Sequence, residues 1–498
     1  MVLSRLIHYF WLGVSLLALG GCAASSSETD AQGCFAASGH DFGAVLDCHT
    51  RAQAAQPLQY TQLPARRFAG GEQRRFSLHS QNWSPDGLVQ AGQWRHGVDI
   101  YIPDDAIQGK ALLIVNNGTP IPGADGKVLA ANDFSEEQIR AIVRKTRTIA
   151  VSVSDVPNQY LTFMDDRVPR REDSIVARSW ALFLQDPEKH AFTPLHVPMM
   201  QVLVKTMDLA EQELAPWKVH QFFATGASKR AWAVWLATIA DPRIGAIAPL
   251  VLDFLNMGAL FAHTHRAYGD SWPLAFTDYH REGITAQYRS EAFGKLETLS
   301  DPLRYLDSPH AQRLAVPKYI VNVGNDEFFL PDNSRFYFDR LPGEKTLRIV
   351  PNQGHGGIRT VVEEVLTGAL ARWQAGTPLP QITSKLEQHA GASVVSLELS
   401  EEPVKLIQWT AVNPEARDFR LPCAIRYVAR DIPLSGGRSL QVPLSVPAQG
   451  WAASFVEATF ADGLFATTPA YVLPDVYPQD LPPQVPAGCR TLVDAPVR

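Results

Sequence analysis

One strand-to-helix junction narrows the possible folds of this chain more than any other stretch. Val219-His220-Gln221-Phe222-Phe223-Ala224-Thr225 reads as a short apolar strand, and Gly226-Ala227-Ser228-Lys229-Arg230 follows without a spacer. Trp232, Trp235, Leu236 and Ile239 then recur at i, i+3, i+4 and i+7, one face of a helix that stops before Asp241-Pro242. A glycine two positions before the serine permits a sharp turn with no Cβ in the way, which lifts the hydroxyl above the end of the sheet. The helix start aims unpaired N–H groups and the positive end of its dipole at the same spot. The pattern is that of an exposed nucleophile. Its fifth position departs from the G-x-S-x-G word, with Arg230 for glycine, so a plain serine N-cap is the competing reading.

A serine needs a base, and the base needs a group to orient it. Pro317–Val323 reads as a buried strand followed by Gly324-Asn325-Asp326, and Thr346–Val350 as another followed by a glycine-rich loop that carries His355. The chain order Ser228, Asp326, His355 is that of α/β-hydrolases. In this arrangement His355 takes the serine proton and Asp326 holds the imidazole tautomer. Asp253, at the end of an earlier strand, is a second candidate for the acid. The Lys229 N–H, with one from Asn117 or Gly118 after an early strand, is placed to stabilise an oxyanion; for Asn116-Asn117-Gly118 a simple turn is the alternative. Arg230 is a candidate for binding a substrate carboxylate, although an internal ion pair that orients the turn is the favoured reading of its position. His263 and His265 are candidates for substrate contact or satisfied structural histidines, and Asp332 is expected to cap a helix running to Asp339.

Strands at Val98–Ile102, Ala111–Val115, Ile149–Val153 and Ile244–Leu252 alternate with helical patterns at Glu136–Lys145, Asp173–Gln185 and Pro198–Leu214. Such alternation implies an α/β fold, a mostly parallel sheet with helices on both faces. Residues 254–316, rich in aromatics and histidines, read as a lid inserted between late strands. After a helical Ile358–Trp373, Thr377-Pro378-Leu379-Pro380 marks a boundary, which leaves 34–376 as the hydrolase-like domain. Alternating segments such as Val394–Leu399 and Ser454–Phe460 make 385–498 a small β-sandwich-like module. At 498 residues the chain has room for both. A net charge of −6 with no basic run argues against nucleic acid as a partner.

Residues 1–22 read as a leader. Arg5 precedes a short apolar run, Tyr9–Leu19, too brief for a comfortable membrane span, and Leu19-Gly20-Gly21-Cys22 looks like a lipobox. Lipidated Cys22 would anchor the protein to a membrane without crossing it, and ordinary cleavage that removes Cys22 is the alternative. Ala23, where an aspartate would mark inner-membrane retention, favours the outer membrane. Residues 23–33, rich in Ser and Ala, are expected to be a flexible tether. Cys34, Cys48, Cys423 and Cys489 remain, an even number in an exported chain, and four cysteines allow three pairings. The economical choice is Cys34–Cys48 and Cys423–Cys489. None has C-x-x-C spacing and no histidine cluster accompanies them, so no metal site is expected.

Several longer words recur from a known family: Val156-Pro157-Asn158-Gln159, Arg171-Glu172-Asp173, Gly226-Ala227-Ser228-Lys229-Arg230 with Trp232, and Asp241-Pro242-Arg243. They continue through Tyr268-Gly269, Ala275-Phe276-Thr277-Asp278-Tyr279, the run Asp326–Asp332, Leu341–Lys345, Pro351-Asn352 with His355, Arg417-Asp418-Phe419-Arg420 and Gly450-Trp451. Together they resemble the PhoPQ-activated pathogenicity-related protein family, exported bacterial proteins with some eukaryotic relatives, over roughly residues 40–470. The resemblance implies an α/β-hydrolase-like fold and makes Arg230 a family trait. It implies little about substrate.

The expected function is an exported serine hydrolase that cleaves an ester or a peptide/amide bond in a small-molecule or peptide substrate, with no cofactor. A non-catalytic envelope or signalling protein that binds a ligand in a hydrolase-like pocket, or a structural lipoprotein, are the alternatives. For the N-terminus the expectation is direct: expressed from the intact gene in a bacterium with normal lipoprotein processing, the mature chain begins at acylated Cys22. Intact-mass analysis should find the acyl mass, and Cys22→Ala should remove it; an unacylated wild-type protein contradicts the lipobox.

Overall fold

The computed structural model describes residues 26–119, 128–389, 392–434 and 436–493. Cys22 and its leader lie outside the described residues. Nine strands form the central sheet: β1 (Gln59–Phe68), β2 (Gly71–Asn82), β3 (Gln93–Pro103), β4 (Lys110–Val115), β5 (Ile149–Val153), β6 (Gln221–Ala227), β7 (Ile244–Leu250), β8 (Lys318–Val323) and β9 (Lys345–Val350). Their order across the sheet is β1-β2-β3-β5-β4-β6-β7-β8-β9. β1, β2, β3 and β5 are successively antiparallel. From β5 to β9 every pairing is parallel. That order, with β5 and β4 exchanged and the parallel run closing on the late strands, is the α/β-hydrolase architecture.

The strands read as continuous apolar runs because both faces are covered. In β4, Ala111, Leu113 and Val115 enter one core while Leu112 and Ile114 enter the other. Eleven described helices accompany the sheet; in chain order the first six are α1 (Ser26–Ala37), α2 (Val45–Ala54), α3 (Glu136–Thr146), α4 (Asp173–Gln185), α5 (His196–Glu213) and α6 (Lys229–Ala240). α7 (Met257–Ala267), α8 (Thr277–Arg281), α9 (Ile284–Gln287) and α10 (Glu291–Ser300) lie in the expected lid, and α11 (Val362–Ala375) follows β9. One face carries α3 and α11, through residues such as Ile139, Val143, Val365 and Leu370. The other carries α2, α4, α5 and α6, whose apolar residues merge with the lid in the larger core. Ser135 starts α3 with a reciprocal capping box to Gln138.

Two expectations need correction. The tether expected over 23–33 overlaps α1, which begins at Ser26. Ala31 and Phe35 are buried, and Cys34 is bonded to Cys48 of α2, so packing and a covalent staple fix a segment whose composition alone suggested flexibility. Asp332 makes no cap hydrogen bond, and the segment after it is two short 3-10 turns, Asn333–Phe336 and Phe338–Arg340. Its buried carboxylate instead lies 2.5 Å from Arg417 Nη2 and 3.1 Å from His263 Nε2. Burial works to raise its pKa, but Arg417 and His263 together hold it below the ordinary carboxylate value.

Those contacts fasten the C-terminal region to the hydrolase-like core. One antiparallel sheet holds Ile382–His389, Ala392–Leu399 and Ser439–Leu444; another is built on Lys405–Asn413 and Trp451–Thr459. Val395, Leu397, Leu406, Val442 and Val456 form the core between them. Asn325 Nδ2 donates to the Phe419 carbonyl at 2.7 Å, and the Tyr427 hydroxyl donates to the Gly324 carbonyl at 3.2 Å. The chain then runs back to the lid, where Thr491–Val493 pairs antiparallel with Ser271–Pro273. No helix among the described residues is long and apolar enough to cross a membrane.

Cys34–Cys48 and Cys423–Cys489 are both bonded, with Cα atoms 5.5 and 5.2 Å apart. The second closes the loop that delivers Thr491–Val493 to the lid. Replacing both Cys423 and Cys489 by serine should lower stability by about 2–4 kcal/mol. Hydrogen exchange should speed up first at Ser271–Pro273; unchanged protection there would contradict a lid fastened from the C-terminus.

Candidate active site

Parallel strands end at one edge of the sheet, and the loops leaving that edge converge on a cleft. Ser228 follows β6 with φ 57° and ψ −127°, a conformation strained for any side chain. Gly226 allows it: a Cβ there would lie 2.9 Å from both the carbonyl carbon and oxygen of Arg230. The backbone amide of Ser228 donates to the Leu250 carbonyl of β7 at 2.8 Å, which ties the turn to the sheet. Ser228 makes no side-chain cap to α6, so its hydroxyl is not consumed by the helix it begins.

Asp326 and His355 meet above β8 and β9. His355 Nδ1 lies 2.8 Å from Asp326 Oδ2 and 3.0 Å from Oδ1. Asp326 Oδ1 also accepts from the Phe328 and Phe329 amides at 2.7 and 3.3 Å, while the His355 amide donates to Glu327 Oε2 at 2.6 Å. A side chain at Gly354 would press on the Glu327 carboxylate that accepts from the His355 amide, so glycine here leaves that contact undisturbed. Burial works to lower the His355 pKa, but the charge and hydrogen bond of Asp326 outweigh it and the net effect is a rise above 6.5. The geometry leaves Nε2 as the nitrogen free to exchange a proton with substrate or serine.

Ser228 and His355 line the same cleft, of about 220 Å³, with Asn117, Asp133, Arg171, Glu172, Asp173, Lys229, Arg230, Phe328 and Arg359 among its other walls. No hydrogen bond joins Ser228 Oγ to His355 Nε2. Asp253, the alternative acid, is turned away: it is buried and accepts from the Tyr337 hydroxyl at 2.6 Å. Burial pushes its pKa well above 3.8.

Arg230 resolves into the internal ion pair. It is 3 % exposed, and all three guanidinium nitrogens are occupied. Nε donates to the Val156 carbonyl at 2.5 Å, Nη1 to Asp133 at 3.1 Å and Nη2 to Glu172 at 2.6 Å. A substrate carboxylate would have to displace buried partners, so Arg230 is not a free anion receptor. His265 lies against Trp272, 4.9 Å between ring centroids, and 3.3 Å from Asp270. It does not line the cleft. His263 is buried with Asp332 and Tyr477.

The second oxyanion donor is not in place as expected. The Asn117 amide donates to Asn116 Oδ1 at 3.0 Å, and Gly118, with φ 118°, does not line the cleft. Lys229 offers its amide at the first position of α6, and its side chain has a role that sequence reasoning missed. Nζ lies 2.9 Å from Glu172 and 3.2 Å from Asp173, and the Tyr279 hydroxyl donates to Asp173 at 3.1 Å. Arg359 completes the network on Asp133 at 2.7 Å, beside His355. The words Arg171-Glu172-Asp173 and Phe276-Thr277-Asp278-Tyr279 carried that signal without showing what it was for. Among the described residues one group of metal-type donors lies close together, Asp418 with Cys423 and Cys489, and both sulfurs are consumed by the disulfide.

The chain is similar to autocrine proliferation repressor protein A of Dictyostelium discoideum, 30% identical over 410 residues that span 77% of this chain and 79% of the relative. Solved structures with a similar fold include an acetyl xylan esterase from Paenibacillus sp. R4, 13% identical, covering 68% of this chain and 94% of that one, TM-score 0.44. Acetyl xylan esterase 1 from Thermoanaerobacterium sp. JW/SL YS485 is 12% identical, covering 66% of this chain and 93% of that one, TM-score 0.42. At such scores the fold assignment rests on the strand order and not on these likenesses. The sequence model of the PhoPQ-activated pathogenicity-related proteins matches residues 46–420, three-quarters of the chain, and with the sheet order and the loops described above the protein belongs to that family.

Proposed function

We propose that this protein is an exported serine hydrolase that cleaves an ester or a peptide/amide bond through Ser228, His355 and Asp326. The observation that carries the reading is the Asp326–His355 pair, aimed from the ends of two parallel strands into the cleft that holds a strained, uncapped serine. Ser228 Oγ attacks the carbonyl carbon while His355 Nε2 takes its proton; the imidazolium then protonates the leaving atom, and water repeats the sequence to release the acid. Asp326 accepts the Nδ1 proton in a hydrogen bond and stabilises the imidazolium without taking its proton. The Lys229 amide faces the developing oxyanion, and a donor from Asn117 requires its N–H to leave Asn116 Oδ1. Proton transfer also requires Ser228 Oγ to swing towards Nε2, a tightening expected on substrate binding.

Two disulfides support an oxidising compartment, and lipidation at Cys22 would hold the enzyme at a membrane surface, in the periplasm or at the outer membrane. A second reading, a signalling protein that binds a ligand in the same cleft, draws on the name of the Dictyostelium relative.

A fluorophosphonate probe should label the folded protein, and Ser228→Ala should abolish labelling. A folded wild-type protein that resists the probe would favour the binding reading. The base must be neutral to accept the serine proton, so activity rises as pH climbs through the His355 pKa. Because that pKa is raised, the acid limb of kcat/KM should lie above 6.5. Asp326→Asn removes the cause of the rise and leaves burial, so the limb should move down while kcat drops by about 10⁴. An acid limb unchanged by Asp326→Asn would contradict the pairing.

A further inference from the structure

Ser228 stands at the border of two differently lined spaces. One is the charged cleft already described, which contains His355. The other lies beneath the lid, and its walls are Trp180, Trp232, Leu252, Phe254, Phe276 and Phe329 with their neighbours. Among its polar wall groups, Asp173 binds Lys229 and the Tyr279 hydroxyl, while the buried Trp180 indole N–H has no partner. His355 does not line this aromatic space; its ring packs behind two of the walls, 4.8 Å from Phe328 and 5.8 Å from Phe329 between centroids.

We infer, resting on the hydrolase reading above, that the aromatic pocket is the acyl site and takes a short, uncharged acyl chain, while the charged cleft takes a polar leaving group that Arg171 favours when anionic. Proton delivery sets this orientation. The leaving oxygen or nitrogen receives its proton from His355, so it must lie on the His355 side of the scissile carbonyl. The acyl substituent then points the other way, under the lid. The bonds balance: the carbonyl carbon gains a bond to Ser228 Oγ and loses the one to the leaving atom, which departs with the proton that His355 took from the serine. Water then supplies the hydroxyl of the released acid and returns a proton to Ser228.

Size and charge set the substrate class. The free volume of the aromatic pocket is about 30 Å³. By that measure one water needs about 10–15 Å³, so the space suits roughly two or three carbon atoms beyond the carbonyl. An ionised acyl group would be stripped of water against aromatic walls with no free cation, since Lys229 is committed to Glu172 and Asp173. On the leaving side Asp133 and Glu172 are paired with Arg230, Arg359 and Lys229, whereas exposed Arg171 makes no ion pair among the described residues. That leaves the cleft with an unspent cation.

Two esters of equal charge and opposite polarity test this on the purified full-length protein. In 4-acetoxybenzoate the carboxylate sits on the leaving group; in phenyl hydrogen succinate it sits on the acyl chain. kcat/KM should favour 4-acetoxybenzoate by at least about a hundredfold, because an unpaired charge must otherwise enter the apolar pocket. Among umbelliferyl esters, acetyl and butanoyl should be turned over well ahead of decanoyl. Arg171→Gln should raise KM several-fold more for 4-acetoxybenzoate than for umbelliferyl acetate, and Arg171→Lys should restore most of the difference. Phe276→Ala should shift the umbelliferyl preference towards decanoyl. Equal or reversed rates for the two charged esters, with Ser228 still labelled by fluorophosphonate, overturn the pocket assignment alone. No ester turnover together with no labelling overturns the hydrolase reading and this inference with it.

Discussion

The close approach of Gly226 to the first turn of the helix behind Ser228 is the constraint on which the rest depends. A Cβ at Gly226 would meet the Arg230 carbonyl group at 2.9 Å, and without that approach Ser228 could not adopt its positive φ at the end of β6. The turn is strained, and its surroundings hold it from several sides. The Ser228 amide is bonded to β7. Arg230 reaches back to the Val156 carbonyl, Asp133 and Glu172, and Lys229 binds Glu172 and Asp173 at the start of α4. Asp133 in turn holds Arg359 of the His355 loop. One charge network, buried at Arg230 and Asp133 and exposed at Arg359, thus links the serine turn to the histidine loop, and Arg230 does so from the position where glycine stands in the commoner word.

Apolar periodicity made the parallel half of the sheet and its helices legible. Asp173–Gln185 and Ile149–Val153 stand with the bounds that the sequence pattern suggests, because Val176, Trp180 and Phe183 recur at helical spacing in the first and four of the five residues of the second are apolar. The antiparallel strands β1 and β2 carried weaker signals: β1 is largely exposed, with polar residues through Arg66 and Arg67. At the site, chain order was enough to bring Ser228 and His355 to one cleft and Asp326 against His355 Nδ1, since each follows the end of a strand. What it could not give was side-chain traffic between distant loops. That Asp253 pairs with Tyr337 and that Lys229 is held by Glu172 are contacts across long separations in sequence, and that Asn116 takes the Asn117 amide is a detail of one loop's turn.

The C-terminal region is joined to the inserted segment, residues 254–316, that helps wall the aromatic pocket. Arg417 reaches Asp332, which also holds His263 of α7, and the last described strand pairs with Ser271–Pro273. Phe276, a wall of the aromatic pocket, follows that lid strand within three residues. The shape of the pocket over Ser228 is therefore set partly by residues outside the parallel sheet. Asp332 illustrates why sequence reading misassigned it: an aspartate after Pro331 looks like a cap until a partner from residue 417 is brought beside it.

In the proposed mechanism Ser228 carries a covalent intermediate formed with the help of His355. Rapid acid quench during turnover of a slowly deacylating ester, followed by peptide mass mapping, reads this directly. The acyl mass should appear on the peptide containing Ser228 in the wild-type protein and be absent in His355→Ala. Turnover with no acyl adduct, or with the adduct on another residue, would contradict the claim.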